Sequence, residues 1–409
     1  MSWEQKPLNE VADFCLGKML DQNKNRGEAL PYLANVNVRW GEFDFGNLRE
    51  MRFEPGEIDR YGLKYGDIVM CEGGEPGRCA VWKDQIPGMM IQKALHRIRP
   101  HSYLDSFFLF YSFLKKRKND EFSGLFTGST IKHLPKEKLA KVNVDVPPIA
   151  IQRRVVSILS AYDDLIENNR RRIALLEEAA RMLYREWFIQ FRFPGHEHVK
   201  IIDGLPEGWE TKYLPDVCAP EDGIQTGPFG SQLHQSDYSE AGIPIVMPKD
   251  MKEFRIESEG TARIPEELAN RLGRHRMKVG DTVYGRRGDI GRRAYIGLRQ
   301  DGWFCGTGCL RIRPDPSIIE PRYLFETLGT PQIAGFIANQ AKGSTMPNLS
   351  AGALKTIPIL CSPKNLQSLF IEAVEPQFEL IETLAEQNTK LSQARDLLLP
   401  RLMNGEIAV

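Results

Sequence analysis

Two stretches of this chain repeat one another about 215 residues apart, and no other feature restricts its fold as strongly. Leu165-Ile166-Glu167 returns as Leu380-Ile381-Glu382, and Gly128-Ser129-Thr130 as Gly343-Ser344-Thr345. The same offset carries Pro148 to Pro363, Gln152 to Gln367, Leu176 to Leu391 and Leu183 to Leu398, so the register holds without a gap for roughly seventy residues. Upstream it shrinks to 214, where Gly66-Asp67 answers Gly280-Asp281 and Ile98-Arg99-Pro100 answers Ile312-Arg313-Pro314. At the start it is 206: Trp3, Lys6, Leu8 and Val11 answer Trp209, Lys212, Leu214 and Val217. A period this long is no solenoid repeat, so each copy folds around its own core. The chain reads as a tandem duplication of one unit, a globular part followed by a helical part.

With 409 residues, the chain exceeds what one core supports, and the duplication places the division. Its 42% hydrophobic and 26% charged residues describe an ordinary globular protein. There is no apolar run of 18 residues, and Met1-Ser2-Trp3-Glu4 does not start a signal segment, which points to a cytoplasmic protein with no membrane span. Seven cysteines without a Cys-x-x-Cys pair suit reduced thiols. Cys305 and Cys309 look like half a metal site, but no second pair completes it, so no metal is expected. Net charge is zero, so any affinity for nucleic acid must come from local clusters. Arg271 to Arg313 holds eleven basic residues against three acidic, an excess the first copy lacks. That copy has instead the run Lys115-Lys116-Arg117-Lys118.

Residues 1–147 read as mixed α/β, with short β-rich runs such as 67–70 and 141–146 broken by Gly and Pro. From Ile149 the pattern turns helical. Ile151, Val155, Ile158, Tyr162, Leu165, Asn169, Ile173, Leu176, Ala180, Leu183 and Trp187 step by three or four, and Leu366, Phe370, Phe378, Ile381, Leu384, Asn388, Leu391, Arg395, Leu398 and Leu402 repeat the stripe. Pro376 is expected to break the second pattern into a short and a long helix, and the matching Ser160-Ala161 to bend the first, leaving a long helix from about Tyr162 to Gln190. Two long helices with one apolar stripe each can bury those stripes on one another. Asn169 and Asn388 fall on the stripes, where they either fix register across the pair or point to solvent at its edge. The fold class is therefore α/β in the mixed α+β sense. Two similar globular domains, residues 1–147 and 206–362, are joined by two helical regions, 148–192 and 363–409, that pair as an antiparallel coiled coil with an internal pseudo-twofold repeat. Residues 193–205, carrying Pro194-Gly195, His196 and His198, read as a linker.

Catalytic motifs are missing: there is no phosphate-binding glycine loop, no His-Glu-x-x-His and no nucleophile elbow. Asp145-Val146-Pro147-Pro148 reads as a turn closing the globular unit, not as a methyltransferase loop. Loops rich in Gly, Arg and amides stand out instead. Gly285-Arg286-Arg287-Gly288-Asp289-Ile290-Gly291-Arg292-Arg293 follows a short strand, Thr282 to Tyr284, and aligns with Glu72 to Arg78. Glycine admits a partner close to the backbone, and arginine forks suit phosphates or guanine edges; a solvated hairpin rim would look the same. Gln225, Thr226 and Ser231, in a loop with Phe229, offer groups able to read base edges, and Lys249 adds a charge nearby. Asn35, Asn37, Arg39 and Trp40 form a comparable patch in the first unit, with Arg78 in its aligned loop, or else a strand with alternating faces.

On these residues the chain resembles the DNA sequence specificity subunit of type I restriction-modification systems. The resemblance rests on Leu205-Pro206-Glu207-Gly208-Trp209-Glu210, on Gly223 to Gln232 followed by Asp237-Tyr238 and Gly242-Ile243-Pro244, and on Lys342-Gly343-Ser344-Thr345-Met346-Pro347-Asn348-Leu349. The Pro147-Pro148-x3-Gln152 approach to a long helix completes it, and the likeness spans the whole chain. It implies that each globular unit is a target-recognition domain for half of a split double-stranded DNA sequence, and that the helices set the spacer. It implies partners as well: two adenine methyltransferase subunits docked on the helices, and a motor-nuclease restriction subunit. S-adenosylmethionine, Mg and ATP would belong to those partners, with no cofactor and no catalysis in this chain. The helix-packing residues would be Leu165, Asn169, Leu176 and Leu183 with Ile381, Asn388, Leu391 and Leu398. The competing readings are a recognition subunit of another modification architecture and a coiled-coil scaffold with two protein-binding heads; the arginine excess weighs against the second.

Overall fold

The repeat offsets reappear as strand pairs. The computed structural model describes residues 3–409 except 20, 22–24, 130, 131, 230, 231, 253, 259, 288, 289 and 341–348. Thr130, Ser231 and residues 342–348 of the repeated Gly-Ser-Thr segment thus lie outside the described residues. The chain divides into two units, Met1–Arg171 with Leu384–Val409, and Arg172–Thr383.

In the first unit, strand Leu95–Pro100 lies antiparallel between Ala12–Leu16 and Ile68–Cys71, and Cys79–Val81 closes the sheet. A second sheet sets Glu28–Leu33 antiparallel to Arg49–Phe53 and parallel to Met90–Ile91. The second unit repeats both sheets. Cys309–Ile312 lies between Ile224–Thr226 and Thr282–Gly285, with Arg293–Tyr295 at the edge. Ile243–Val246 runs antiparallel to Arg263–Ile264 and parallel to Phe304–Cys305. Ile68 faces Ile98 just as Thr282 faces Ile312, so the sequence offset is also a structural register. Ile68-Val69-Met70-Cys71 is buried at every position, the apolar run expected of a strand covered on both faces.

The repeated dipeptide Gly-Asp has a physical reason. Gly66 and Gly280 both sit at positive φ, where a side chain would be strained. The next carboxylate, buried, accepts the amide at the head of the turn, Lys64 or Lys278, and holds an arginine of the neighbouring strand in a two-pronged pair. Arg99 reaches Asp67 at 2.7 Å through both Nε and Nη2, and Arg313 reaches Asp281 at 2.8 Å in the same way.

The repeated Gln closes each globular domain onto its long helix. Gln152 donates to the Pro147 carbonyl at 2.8 Å and accepts the Asp105 amide at 2.7 Å. Gln367 donates to the Ser362 carbonyl at 2.8 Å and accepts the Glu320 amide at 2.9 Å. Short strands complete the closure, Gln5–Pro7 on Asn143–Asp145 and Glu210–Tyr213 on Pro358–Cys361.

The helices differ from expectation in three ways. The first is one uninterrupted element, Ile149–Tyr184, that starts earlier than Tyr162, passes Ser160 and Ala161 unbroken, and ends in a π turn, Arg185–Ile189. The second, Lys364–Met403, continues through Pro376. Proline there removes one backbone bond and costs about 3 kcal/mol. Burial of Phe370, Val374, Phe378 and Ile381 on both sides offsets that, at about 1.5–3 kcal/mol per side chain. The expected stripe is buried at Val155, Ile173, Ala180, Phe370, Phe378, Ile381, Leu384 and Leu402, but in the first helix it shifts by one residue at two places, from Ile158 to Leu159 and from Leu165 to Ile166. Ile166 is 5% exposed and Leu165 52%; Ile381 is 3% exposed and Leu380 36%. Val155, Leu159, Ile166, Ile173, Ala180 and Tyr184 form the buried face, which follows the 3.6-residue turn and leaves Ile158 and Leu165 about 100° away on the solvent side. Leu176, Leu183, Leu391 and Leu398 are half-buried at its margins.

Within the first unit, residues 149–171 pack antiparallel on 384–403. Val155 and Leu159 share a core with Leu399, Leu402 and Met403, Asp163 pairs with Arg395, and Asn169 donates to Asn388 Oδ1 at 3.0 Å. Partner numbers fall as helix numbers rise, and the two Asn face each other across the helices. In the second unit the aromatic residues Tyr184 and Phe188 pack on Phe370 and Tyr323, with ring centroids 4.7–5.8 Å apart. By the 215 offset Tyr184 and Phe188 are the counterparts of Leu399 and Met403, so each globular domain receives the far end of the other copy's helix at the same place. The 193–205 segment carries a small hairpin, Ile201–Ile202 on Leu205–Pro206, and His196 and His198 are exposed beside Glu197.

Candidate nucleic-acid interface

In the second unit, three loops that leave the four-stranded sheet meet at one end. The Gly227 amide donates to the Cys309 carbonyl at 3.0 Å, the Arg286 amide to the Gly308 carbonyl at 2.9 Å, and the Thr307 hydroxyl to the Pro228 carbonyl at 3.1 Å. Glycine is required there: a Cβ on Gly227 would lie 1.9 Å from the Gly306 carbonyl oxygen. Phe229 projects from this junction, half of its surface open, with the Arg286 guanidinium 5.7 Å over its ring. Burial, and then the adjacent Arg287 charge, pull the Arg286 guanidinium below its usual range. Arg287 and Arg292 are exposed on the same hairpin. Pro248 lies 3.3 Å from the Cβ position of Gly308, so the exposed Lys249 borders the ledge. Gln225 turns its amide onto the Thr226 carbonyl at 2.9 Å, and Ser231 lies outside the described residues.

The arginine excess is only partly a surface property. Arg311 is fully buried and pairs with Asp222; Arg313 pairs with Asp222 and Asp281; Arg276 is tied to Glu266, Asn270 and the Gly302 carbonyl. Arg293, on the strand after the hairpin, is buried between Phe254 and Phe325 at 4.6 and 4.8 Å. Arg271, Arg274, Lys278, Arg287, Arg292 and Arg299 remain exposed. A charge count cannot separate these groups, because a buried Arg and a surface Arg read alike in a sequence.

The aligned loop of the first unit is a different surface. Arg78 donates to the Asn35 carbonyl at 2.9 Å and pairs with Glu75 at 2.8 Å, while Trp40 Nε1 donates to Glu75 at 3.3 Å. Arg39 pairs with Asp44 at 3.1 Å and stays about half exposed. Asn37 is buried, accepting the Ala34 amide and donating to the Asp44 carbonyl, both at 2.9 Å, so its amide holds the turn that presents Asn35, Arg39 and Trp40. Lys115, Lys116, Arg117 and Lys118 form the last turn of helix Ser106–Lys118, where cations favour the carbonyl end. Lys115 faces Asp145 at 4.0 Å, Lys116 faces Glu121 at 2.7 Å and Lys118 faces Asp396, while Arg117 is exposed. The carboxylate of Glu75 within the loop escaped notice in the sequence; a glutamate three residues before an arginine is its only sign.

Among the described residues no cluster of His, Cys, Asp or Glu could hold a metal ion. Burial pushes the Cys305 thiol up to about 12 and the Cys309 thiol higher still, so both are neutral core residues. Among the described residues no helix is long and apolar enough to cross a membrane.

A family model for the type I restriction modification DNA specificity domain matches residues 1–178. The putative type I restriction enzyme MjaX specificity subunit of Methanocaldococcus jannaschii is 30% identical over 421 residues, covering 100% of this chain and 94% of that protein. The type I restriction enzyme MjaIX specificity subunit of the same organism is 27% identical over 420 residues, again 100% of this chain and 94% of the relative. The crystal structure of a type I restriction-modification system S subunit from M. genitalium is alike with a TM-score of 0.55 at 17% identity, over 98% of this chain and 96% of that one; this likeness concerns the fold.

Proposed function

Because the chain belongs to the family of type I restriction enzyme specificity subunits, we propose that each of its globular domains reads one half of a split DNA target and that the paired helices set the distance between the halves. The chain is the non-catalytic DNA-recognition subunit of a restriction-modification complex and assembles with that complex's other subunits. The observation that carries the division of labour is the double construction itself: one fold, one register and the same glutamine clasp occur twice, while the loops at matching ends carry Phe229, Arg286 and Arg287 in one copy and Trp40, Glu75 and Arg78 in the other. A conserved frame with unlike readers suits two different half-sites. The exposed Arg287 supplies donors for phosphate or guanine edges, and Phe229, backed by the buried Arg286, an apolar face for a base or sugar. In the first domain the acidic Glu75 can accept from a cytosine amine, a group the second domain's ledge lacks among its described residues.

The helices would also dock adenine methyltransferase subunits, two by the repeat, and a motor-nuclease subunit would join them in the cytoplasm. S-adenosylmethionine, Mg and ATP would be held by those partners. The test is selection from a pool of random duplexes with the complex purified from its host at physiological salt. Two short fixed blocks at a constant gap are expected. An unenriched pool from an intact complex would remove the DNA-reading role and bring forward the protein-binding scaffold.

A further inference from the structure

The same place in the two units is closed in one and open in the other. In the first unit Tyr111 donates to Asp163 at 2.6 Å, Asp163 pairs with Arg395, Arg395 bonds Asp396 at 2.9 Å, and Lys118 completes the chain on Asp396. Two cations, two carboxylates and a hydroxyl thus satisfy one another. The repeat offsets put Glu326 at the position of Tyr111, Phe378 at that of Asp163, Arg181 at that of Asp396, Arg322 at that of Phe107 and Arg293 at that of Cys79. The network is gone, and a small cavity of about 40 Å³ stands there in the second unit, its charged lining Arg181, Arg293 and Arg322 with Glu177, Glu326 and Glu382.

Its walls hold two guanidiniums flat. Arg322 is sandwiched between the rings of Tyr295 and Phe378, 3.6 and 3.8 Å from their centroids, and Arg293 between Phe254 and Phe325. Stacking fixes the plane of a guanidinium but uses none of its five in-plane N–H donors. Among the described residues Arg322 makes no hydrogen bond and no ion pair, and its Nε is shut off from solvent; Arg293 makes one bond, to the Phe325 carbonyl at 3.3 Å. Burial weakens both cations, while it pushes the buried Glu326 carboxyl up against the pull of Arg293 and Arg322. Idle donors in a low-dielectric site are costly unless an acceptor completes them.

We infer that this cavity binds a small oxyanion, a phosphate or a carboxylate group, gripped in the plane of the Arg322 and Arg293 forks. The anion would tie strand Arg293–Tyr295 and helix Pro321–Thr327 to the long-helix segments of the second unit. Glu326 is then a competitor for the same arginines, which separates this reading from simple internal compensation.

The experiment is thermal unfolding of the full chain in sodium phosphate, sodium acetate and sodium chloride at matched ionic strength. A saturable rise over chloride of about 5 °C is expected at a hundredfold excess over Kd. A rise with phosphate alone assigns a phosphoryl group, and one with both salts a site open to carboxylates. Glu326→Gln should tighten binding about tenfold, whereas Arg322→Gln should abolish it. If Arg322→Gln does not fold, Glu326→Gln alone decides by the sign of its effect. No saturable rise, or a Glu326→Gln variant that binds no tighter, would overturn the inference.

Discussion

Gln152 and Gln367 stand 215 residues apart and make the same two bonds; Asp163 and Phe378 stand equally far apart and share no chemistry. The difference separates two kinds of position in a duplicated chain. Where a side chain satisfies backbone groups that the fold itself creates, both copies keep it, because losing it leaves buried amides and carbonyls unpaired. Where a side chain only answers another side chain, a whole set can change together. Tyr111, Asp163, Arg395 and Asp396 form one balanced set, and Glu326, Phe378 and Arg181 at the matching places form another. The surface loops vary for the same reason.

The largest expected break in the symmetry is at the buried pairs. Asp281→Asn should cost about 3–5 kcal/mol in urea unfolding, because it leaves Asp222 as the one paired carboxylate for both Arg313 and the fully buried Arg311, whose Nε lies 4.0 Å from Asp281. Asp67→Asn strands Arg99 alone and should cost less. Equal losses would mean that Asp222 alone neutralises both arginines of the second unit.

Next comes a pH effect at a position where the two copies differ. His275 is buried against Phe304, and burial, then the Arg274 charge, lower its pKa to about 4. Its counterpart at the 214 offset is Tyr61, so the first unit has no imidazole at this place. The unfolded chain binds the proton near pH 6.5 and the folded one near 4, so stability is complete above 6.5 and falls by about 1.4 kcal/mol per pH unit between them, about 3 kcal/mol in all. His275→Gln should flatten that slope; an unchanged slope would place the acid sensitivity elsewhere.

A smaller break concerns the helices. Asn388→Leu leaves the Asn169 amide without its acceptor and should cost about 2 kcal/mol, whereas replacing both by Leu should restore or raise stability. A double variant as unstable as the single would show that the pair contributes more than a mutual bond. At the smallest scale, Arg286→Ala should weaken binding to one half-site by about 1–3 kcal/mol and leave the other alone, and Arg78→Ala should do the converse. Uniform weakening across all sequences would assign the residue to phosphates.

Much of the frame is legible in the sequence, because a repeated residue at a fixed offset is two observations of one environment. The Gly-Asp and Ile-Arg-Pro repeats became the Asp67–Arg99 and Asp281–Arg313 pairs, each on a buried carboxylate, and the repeated Gln became a clasp. The stripe of the helices was misplaced where two apolar residues adjoin, Ile158 with Leu159 and Leu165 with Ile166, since adjacent positions differ by only about 100° on the helix. Pro376 misled because a local penalty was weighed without the packing of Phe370, Val374 and Phe378 around it. Burial of Arg293 and Arg311 was illegible for a simpler reason: their partners Phe254 and Asp222 are 39 and 89 positions away.

The account rests on two readers at a fixed distance, and helix length is its most direct handle. Removing four residues, about one turn or 6 Å, from both long helices at paired levels should leave the two DNA blocks recovered from a random pool unchanged and bring them about two base pairs closer. Blocks that keep their original gap would contradict the account, because the helices would then not be what separates the two readers.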